Sequence, residues 1–261
     1  MRDAPQSDGA LRRLLLRDQI PIATALAGIT IISWAYLFLL AHQMTMMMDG
    51  MGMTFMPWSA TDFTLMFVMW WVMMIGMMTP SAAPMILIFD RIGKGRRKRG
   101  QSFVPTAVFA TGYLAAWGVF SLIATLAQWA LESAALMVPM MQLNSPVIGG
   151  AVLVLTGLYQ FTPMKHACLK HCRSPFAFVM NHWRDGTGGA LRMGAGHGLY
   201  CLGCCWFLMA LLFVGGVMNL IWVAIIAAWV LAEKLFPAGR WIARIGGLLM
   251  AGTGIYFMTG F

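Results

Sequence analysis

The chain has 261 residues, of which 60% are hydrophobic and 10% are charged, and its formal net charge is +9. Soluble domains average about 25% charged residues, so this composition excludes an ordinary soluble globular protein. Apolar stretches of roughly 20 residues, the length that crosses a bilayer as a helix, recur along the chain. We therefore predict an all-α, polytopic membrane helix bundle that forms a single transmembrane domain over 20–261. Its about seven transmembrane helices are predicted at 20–41, 63–89, 103–130, 146–162, 193–214, 217–235 and 241–259.

The basic residues indicate how these helices are oriented. All 18 Lys and Arg side chains fall in four segments that share one side of the membrane, namely 1–19, 90–102, 163–192 and 233–244. Because cytoplasmic loops are enriched in Lys and Arg, we predict that 1–19 is a cytoplasmic tail and that the chain lies in an inner membrane. The basic run 91–100 is then a membrane-proximal loop, so the lipid bilayer is an expected partner and nucleic acid is not.

The segment after the first span, 42–62, is predicted to be an outer loop rich in methionine. Thioether sulfur is a soft ligand that favours Cu(I), and unlike a thiol it forms no disulfide in an oxidising compartment. Such methionines either pack against headgroups and helix ends or contact the metal. We predict that they capture Cu(I). The candidate ligands are Met44, Met46, Met47, Met48, Met51 and Met53, followed by Met56.

A stripe of methionine runs down the second span. Residues spaced by three and four positions share one helix face, although such a stripe in a membrane helix also forms by packing alone. Pro80 and Pro84 each remove a backbone donor, so this end of the helix is expected to face the interior of the bundle. The stripe consists of Met66, Met69, Met73 and Met77, with Met74 and Met78 beside it, and its candidate metal ligands are Met73, Met74, Met77 and Met78.

The first of two cysteine groups follows the fourth span, in the predicted inner loop 163–192. Cys168, His171 and Cys172 occupy positions i, i+3 and i+4, which share one face of a helical turn. Two thiols and an imidazole are therefore expected to converge there. A cytoplasmic, reducing location favours free thiols over disulfides. All three residues are candidate metal ligands.

The second cysteine group lies in the fifth span, which is predicted to begin near Arg192. His197, Cys201, Cys204 and Cys205 occupy positions i, i+4, i+7 and i+8, a spread of roughly 100° on one helix face. The two groups together contain every cysteine of the chain. If the fourth and fifth spans pack side by side, their sulfur atoms meet in one inner thiolate site. Its metal would be Cu(I), with Zn(II) as an alternative.

The remaining polar residues indicate no catalytic machinery. Glu233 and Lys234 end the sixth span, where we predict an anchor pair at the inner surface, and His182 is predicted to be a surface imidazole. The chain has no phosphate-binding loop, no dinucleotide fingerprint and no His-Glu-x-x-His motif. An enzymatic activity is therefore not indicated.

Three stretches resemble a bacterial family of integral membrane proteins of unknown function that are generally described as predicted metal-binding membrane proteins. They are WWVMMIGMMTPSAAPM at 70–85, MKHACLKHCRSP at 164–175 and HGLYCLGCCWFLMALLFVGGVMNLIW at 197–222. The resemblance covers about residues 60–236. It implies a multi-helix inner-membrane protein with metal sites in the methionine helix and the cysteine segments. The matching positions are Met73, Met74, Met77, Met78, Pro80, Cys168, Cys172, Cys201, Cys204 and Cys205.

The leading hypothesis is a Cu(I)-handling membrane protein, either a permease or a factor that delivers copper to a partner. Outer thioethers would capture Cu(I) and inner thiolates, which bind it more tightly, would hold it. The partner would be a copper chaperone or a membrane cuproenzyme. One alternative is a thiol–disulfide electron carrier that uses Cys201/Cys204 with Cys168/Cys172. The other is a purely structural Zn(II) or other metal site that ties two helices together.

Overall fold

A computed structural model describes residues 19–50, 58–138 and 141–260, apart from the side chains of 47–50 and Val138. Most of this part of the chain is helical, so the predicted all-α class is confirmed. A small antiparallel sheet of β1 (Met137–Val138) and β2 (Gln142–Leu143) follows the third helix. The helices are α1 (Ile20–Gly50), α2 (Ala60–Lys98), α3 (Thr106–Ser133), α4 (Pro146–Tyr159), α5 (Pro163–Arg173), α6 (Pro175–Asn181), α7 (Gly186–Ala210), α8 (Leu212–Gly215), α9 (Leu220–Leu235) and α10 (Gly239–Thr259).

Five stretches of helix are long and apolar enough to cross a membrane: α1, α2, α3, the run of α7 and α8, and α10. The pair α4 and α5 passes the same test as a single span that is bent by 66°. Helix α9 has 16 residues, fewer than the about 20 that a bilayer crossing needs. Length and composition therefore support five or six spans in the described part of the chain, and the number seven stays a prediction.

Helix α1 continues into the segment predicted as the outer loop 42–62, so that prediction is wrong as far as Gly50. Glutamine and methionine are good helix formers, and the methionine run therefore extends the helix. Met44 is half-buried and packs against the hydrophobic core, whereas Met46 is 64% exposed. The predicted ligands Met51 and Met53, together with Met56 and the side chains of Met47 and Met48, lie outside the described residues.

The predicted inner loop 163–192 is also mostly helical, because two prolines start helices within it. Pro163 begins α5 and Pro175 begins α6, and a proline at the first helical position loses no hydrogen bond. The hydroxyl of Thr162 accepts a hydrogen bond from the backbone N–H of Lys165 and caps α5. Helix α7 begins at Gly186, ahead of the predicted start, so its first two turns also belong to this segment.

Two helix pairs pack at backbone distance because glycine faces the partner helix. A Cβ atom at Gly194 of α7 would overlap the carbonyl oxygen of Phe109 in α3, and one at Gly112 would overlap that of Leu191. Helices α4 and α10 meet in the same way at Gly150. Small residues commonly permit such close approach between membrane helices. The α3–α7 contact fixes the position of the cysteine-bearing part of α7.

Helix α2 lies at the centre of the bundle. Its methionines between Met69 and Met85 are almost fully buried, and α1, α3, α6 and α9 pack around it. Helix α7 packs against α3 on one side and against α5 on another. The interior of the bundle is therefore enclosed by α2, α3, α7 and α9, and α5 packs over one side of it.

Candidate metal centre

The thiol of Cys201 is the point at which four helices meet. Cys201 lies in α7 and is 1% exposed. Lys234 of α9 donates a hydrogen bond from Nζ to Cys201 Sγ at 2.9 Å and another to Ser81 Oγ of α2 at 3.0 Å. The hydroxyl of Tyr113, in α3, lies 3.2 Å from the same sulfur. A buried cation and two hydroxyl-bearing side chains thus surround one thiol.

Tyr113 also links this thiol to the methionine helix. Its hydroxyl donates to the backbone carbonyl oxygen of Met78 at 3.3 Å, in the part of α2 that is interrupted by Pro80. A phenol carries one proton, so the hydroxyl donates either to Met78 or to Cys201 Sγ, but not to both. The Met78 backbone and the Cys201 thiol therefore share Tyr113 as a hydrogen-bond partner.

A second helix brings a further thiol to Cys201. Cys172 of α5 lies beside Cys201 and Cys204, and Cys205 lies beside the same two residues. We call Cys172, Cys201, Cys204 and Cys205 the thiol cluster. The structure thus brings the two predicted cysteine groups together through the packing of α5 on α7. Cys168, one turn before Cys172, packs its sulfur over Gly203 of α7.

The thiol cluster is not arranged as a coordination site in this conformation. Among the described residues, no three His, Cys, Asp or Glu side chains stand in positions that hold a metal ion. Cys204 and Cys205 donate from Sγ to the backbone carbonyl oxygen of Cys201 at 3.1 Å and 2.9 Å. All five cysteines are free thiols. Metal binding would therefore require these two side chains to turn away from the α7 backbone.

His197 presents an unpaired nitrogen next to the thiol cluster. It lies one helical turn before Cys201 and is 2% exposed. Its ring stacks on Tyr113 at a centroid distance of 5.5 Å and contacts Phe178 at the same distance. Nδ1 is buried and has no hydrogen-bond partner. Because buried polar atoms are normally paired, this nitrogen is available to a ligand.

His171 does not join the thiol cluster, and the predicted convergence of Cys168, His171 and Cys172 is only partial. Its ring stacks on Tyr200 at 4.2 Å and its Nδ1 lies 2.9 Å from the carbonyl oxygen of Ala167. None of these contacts is with a thiol. Successive residues are rotated by about 100° around a helix, so Cys172 can reach α7 sulfur atoms while its neighbour faces an aromatic ring.

The predicted methionine ligands of α2 are all in the interior. Met73, Met74, Met77 and Met78 are at most 2% exposed. At the other end of the stripe, Met66 accepts a hydrogen bond from Gln128 Nε2 to its sulfur at 3.8 Å. Burial of this kind fits close packing of the core as well as metal passage, so the ligand assignment stays a prediction.

The residues that the sequence analysis did not assign to the site are Lys234, Tyr113 and Ser81. Glu233 and Lys234 are both buried, so the predicted surface anchor pair is wrong. Glu233 Oε2 pairs with Lys165 Nζ at 2.7 Å, while Lys234 faces Cys201. Neighbouring helical residues diverge by about 100°. Glu233 and Lys234 therefore reach two separate buried partners, and no local sequence pattern identifies Lys234 as a neighbour of Cys201.

Comparison with known proteins gives one match. A family model described as "PpoB2: Copper chaperone" matches residues 67–257, a range that includes all five cysteines, Lys234 and the buried part of α2. No curated protein and no solved structure matches the chain. The family description names copper, whereas the sequence resemblance implied a metal without saying which one. The methionines of 44–56 lie outside the matched range.

Proposed function

The chain belongs to the PpoB2 copper chaperone family, and from this premise we propose that it holds Cu(I) inside the bacterial inner membrane and delivers it to a copper-requiring acceptor protein. The observation that carries the proposal is the buried Cys201 thiol, which accepts a hydrogen bond from Lys234 and has three further thiols beside it. The proposed ligands are the thiol cluster, with His197 beside it. Cys168 is assigned no ligand role.

Thiolates suit this cargo because Cu(I) is a soft ion that prefers sulfur ligands. Two thiolates and one Cu(I) carry a net negative charge, and such a charge is costly inside a membrane protein unless it is paired. Lys234 supplies the compensating positive charge from within hydrogen-bond distance of Cys201 Sγ. The site is thus electrically suited to a monovalent ion held by two thiolates.

The methionine stripe of α2 supports a route for the ion towards the thiols. Thioethers bind Cu(I) without losing a proton and more weakly than thiolates, so an ion would move from Met73, Met74, Met77 and Met78 towards Cys201. Tyr113 links the Met78 backbone to Cys201 Sγ. Met44 and Met46 are proposed to take part in capture. Release across the membrane, as in a permease, would use the same ligands in the same order.

Burial weighs against the thiol–disulfide carrier. Cys201, Cys204 and Cys205 are each 1% exposed, whereas Cys168 and Cys172 are half-buried. Disulfide exchange at Cys201/Cys204 requires a partner thiol to reach a sulfur that is enclosed by the helices. A small ion can enter a space that is closed to a partner protein. The described environment therefore favours an ion over a disulfide substrate.

The proposal is tested by Cu(I) retention in the purified full-length protein, kept reduced and free of oxygen. We expect wild-type protein to retain about one Cu(I) per chain against a chromophoric chelator, because sulfur ligands give high affinity for this ion. Cys201→Ser should lose that copper. Cys168→Ser is the matched control and should keep it, because Cys168 packs over Gly203 and not in the thiol cluster.

Two outcomes would overturn the proposal. One is wild-type protein that takes up no Cu(I), and the other is equal copper retention in wild type and Cys201→Ser. Retention of Zn(II) in preference to Cu(I) would instead establish the structural zinc site.

A further inference from the structure

Two histidines outside the thiol cluster lie close together on the same side of the bundle as α5. His171 is in the last turn of α5 and half-buried, and His182 follows α6 and is exposed. Their ring centroids are 6.3 Å apart with an interplanar angle of 69°. Neither the family description nor the proposed thiol site accounts for this pair. We call His171 and His182 the imidazole pair.

Both imidazoles are held in the same tautomer by the backbone. His171 Nδ1 lies 2.9 Å from the carbonyl oxygen of Ala167, and His182 Nδ1 lies 3.0 Å from that of Phe178. A carbonyl oxygen only accepts hydrogen bonds, so each Nδ1 must carry the proton in the neutral ring, and each Nε2 carries the lone pair. Histidines that bind metals commonly donate their other ring N–H to a backbone carbonyl in this way.

Aromatic stacking fixes both rings in place. His171 stacks on Tyr200 at 4.2 Å with an interplanar angle of 7°, and His182 stacks on Phe178 at 4.7 Å and 19°. With metal–nitrogen bonds of about 2 Å, an ion held in line between two imidazoles separates the ring centroids by about 6 Å. The observed centroid distance of 6.3 Å is close to that span.

Neighbouring residues link the imidazole pair to the thiol cluster. His171 precedes Cys172 in α5, and its stacking partner Tyr200 precedes Cys201 in α7. Phe178, which stacks on His182, also contacts His197 at 5.5 Å. One side of the pair is therefore exposed, while its other side adjoins residues next to the sulfur ligands.

We propose that the imidazole pair is a second, labile Cu(I) site through which the ion passes between the thiol cluster and a soluble partner. The inference rests on the proposed function, because it gives the buried copper a path to the surface. Imidazole is a neutral ligand that suits copper and holds Cu(I) less tightly than thiolate. Each transfer towards the thiols breaks a Cu–N bond, forms a Cu–S bond and passes the thiol proton to water. Transfer towards the partner is the reverse step, in which the sulfur takes up a proton, and no electron is exchanged in either direction.

The test measures the rate at which the protein releases Cu(I) and the amount of Cu(I) that it binds. Full-length protein loaded with Cu(I) is mixed in a stopped-flow instrument with a chromophoric Cu(I) chelator. We expect the double variant His171→Ala/His182→Ala to release copper about tenfold more slowly than wild type, with an unchanged amount of bound copper. His166→Ala is the matched control on α5 and should release copper at the wild-type rate, since His166 lines a separate cavity with Arg240 and Arg244.

A second measurement examines the imidazole pair without the buried site. With all four cysteines of the thiol cluster replaced by serine, weak Cu(I) binding should persist, and it should disappear when His171→Ala and His182→Ala are added. This result is independent of copper retention by wild-type protein, so it separates failure of the imidazole pair from failure of the thiol site. An unchanged release rate in the double variant, or weak binding that survives when both the thiol cluster and the imidazole pair are replaced, would overturn the inference. Loss of the tightly bound copper in the double variant would also overturn it, because the imidazoles would then belong to the buried site.

Discussion

Lys234 is the residue that most distinguishes this thiol site from a set of buried cysteines. A lysine is rarely buried without a partner, because its charge must be compensated. Lys234 is 6% exposed, and its Nζ donates to Cys201 Sγ and Ser81 Oγ. An inert cysteine core would have no need of a cation at this position. The pairing supports the proposal that Cys201 binds copper as a thiolate.

Replacing this lysine should weaken copper binding while leaving the sulfur ligands in place. For Lys234→Met we expect the Cu(I) affinity to fall by at least about tenfold, which is about 1.4 kcal/mol, because the charge of the copper–thiolate group is no longer compensated. The measurement is equilibrium competition with a Cu(I) chelator. Lys170→Met, an exposed position on α5, is the control. Equal affinity in Lys234→Met and wild type would show that the ammonium has no part in binding.

The arrangement of cysteines along one face of α7 could be predicted from the sequence, whereas the side chains that surround Cys201 could not, because helical spacing is a local signal and helix packing is not. The order of His197, Cys201, Cys204 and Cys205 along one helix face is a local property that helical spacing reveals. Tyr113 and Lys234 come from other helices, and only the packing of α3 and α9 on α7 brings them to Cys201. His171 shows the opposite error, since its spacing matches Cys168 but its ring packs on Tyr200.

At the scale of whole helices, the contact between α3 and α7 sets the geometry of the site. Gly194 and Gly198 of α7 face α3, and a Cβ atom at Gly198 would lie 2.6 Å from the Cβ of Ala116. This close approach carries Tyr113 to within 3.2 Å of Cys201 Sγ. Any side chain that separates the two helices would remove that contact.

A methyl group at this interface should therefore destabilise the protein. Gly194→Ala places a Cβ atom against the carbonyl oxygen of Phe109, and we expect a loss of about 1–3 kcal/mol or more from overpacking. Gly196→Ala is the matched control in the same helix, because a Cβ atom there has no neighbour within 4 Å. Alanine is favoured over glycine inside a helix, so the control should be neutral or slightly stabilised. Thermal unfolding in detergent gives the comparison, and equal midpoints for the two variants would contradict the packing argument.

Helix α5 shows why part of the fold could not be predicted from the sequence. Its many basic residues and the surrounding prolines resemble a loop at the inner surface, yet Pro163 begins a helix and Lys165 is fully buried. Lys165 pairs with Glu233 of α9 and also hydrogen-bonds Gln160, which joins α5 to the rest of the bundle. Because Lys165 and Glu233 are far apart in the sequence, the local periodicity of apolar residues cannot predict this ion pair.

For the molecule as a whole, composition and charge predict the fold class, whereas the candidate site is formed by the packing of the helices. Apolar stretches predicted a helix bundle, and five or six of the seven predicted spans meet the criteria of length and composition. The segregation of Lys and Arg implies an inner side that bears α5, α6 and the imidazole pair. The family match supplies copper, while the path from α2 methionines through the thiol cluster to the imidazole pair is a proposal that rests on the contacts of the folded chain.

The most direct test of the central claim is X-ray absorption at the copper edge of the loaded, reduced protein. Thiolate binding predicts an edge typical of Cu(I) and a first shell dominated by sulfur in wild type. Cys201→Ser should lose the copper or show fewer sulfur neighbours, whereas Cys168→Ser should give the wild-type spectrum. A first shell of nitrogen and oxygen alone in wild type, or identical spectra for wild type and Cys201→Ser, would contradict a copper site built on the Cys201 thiol.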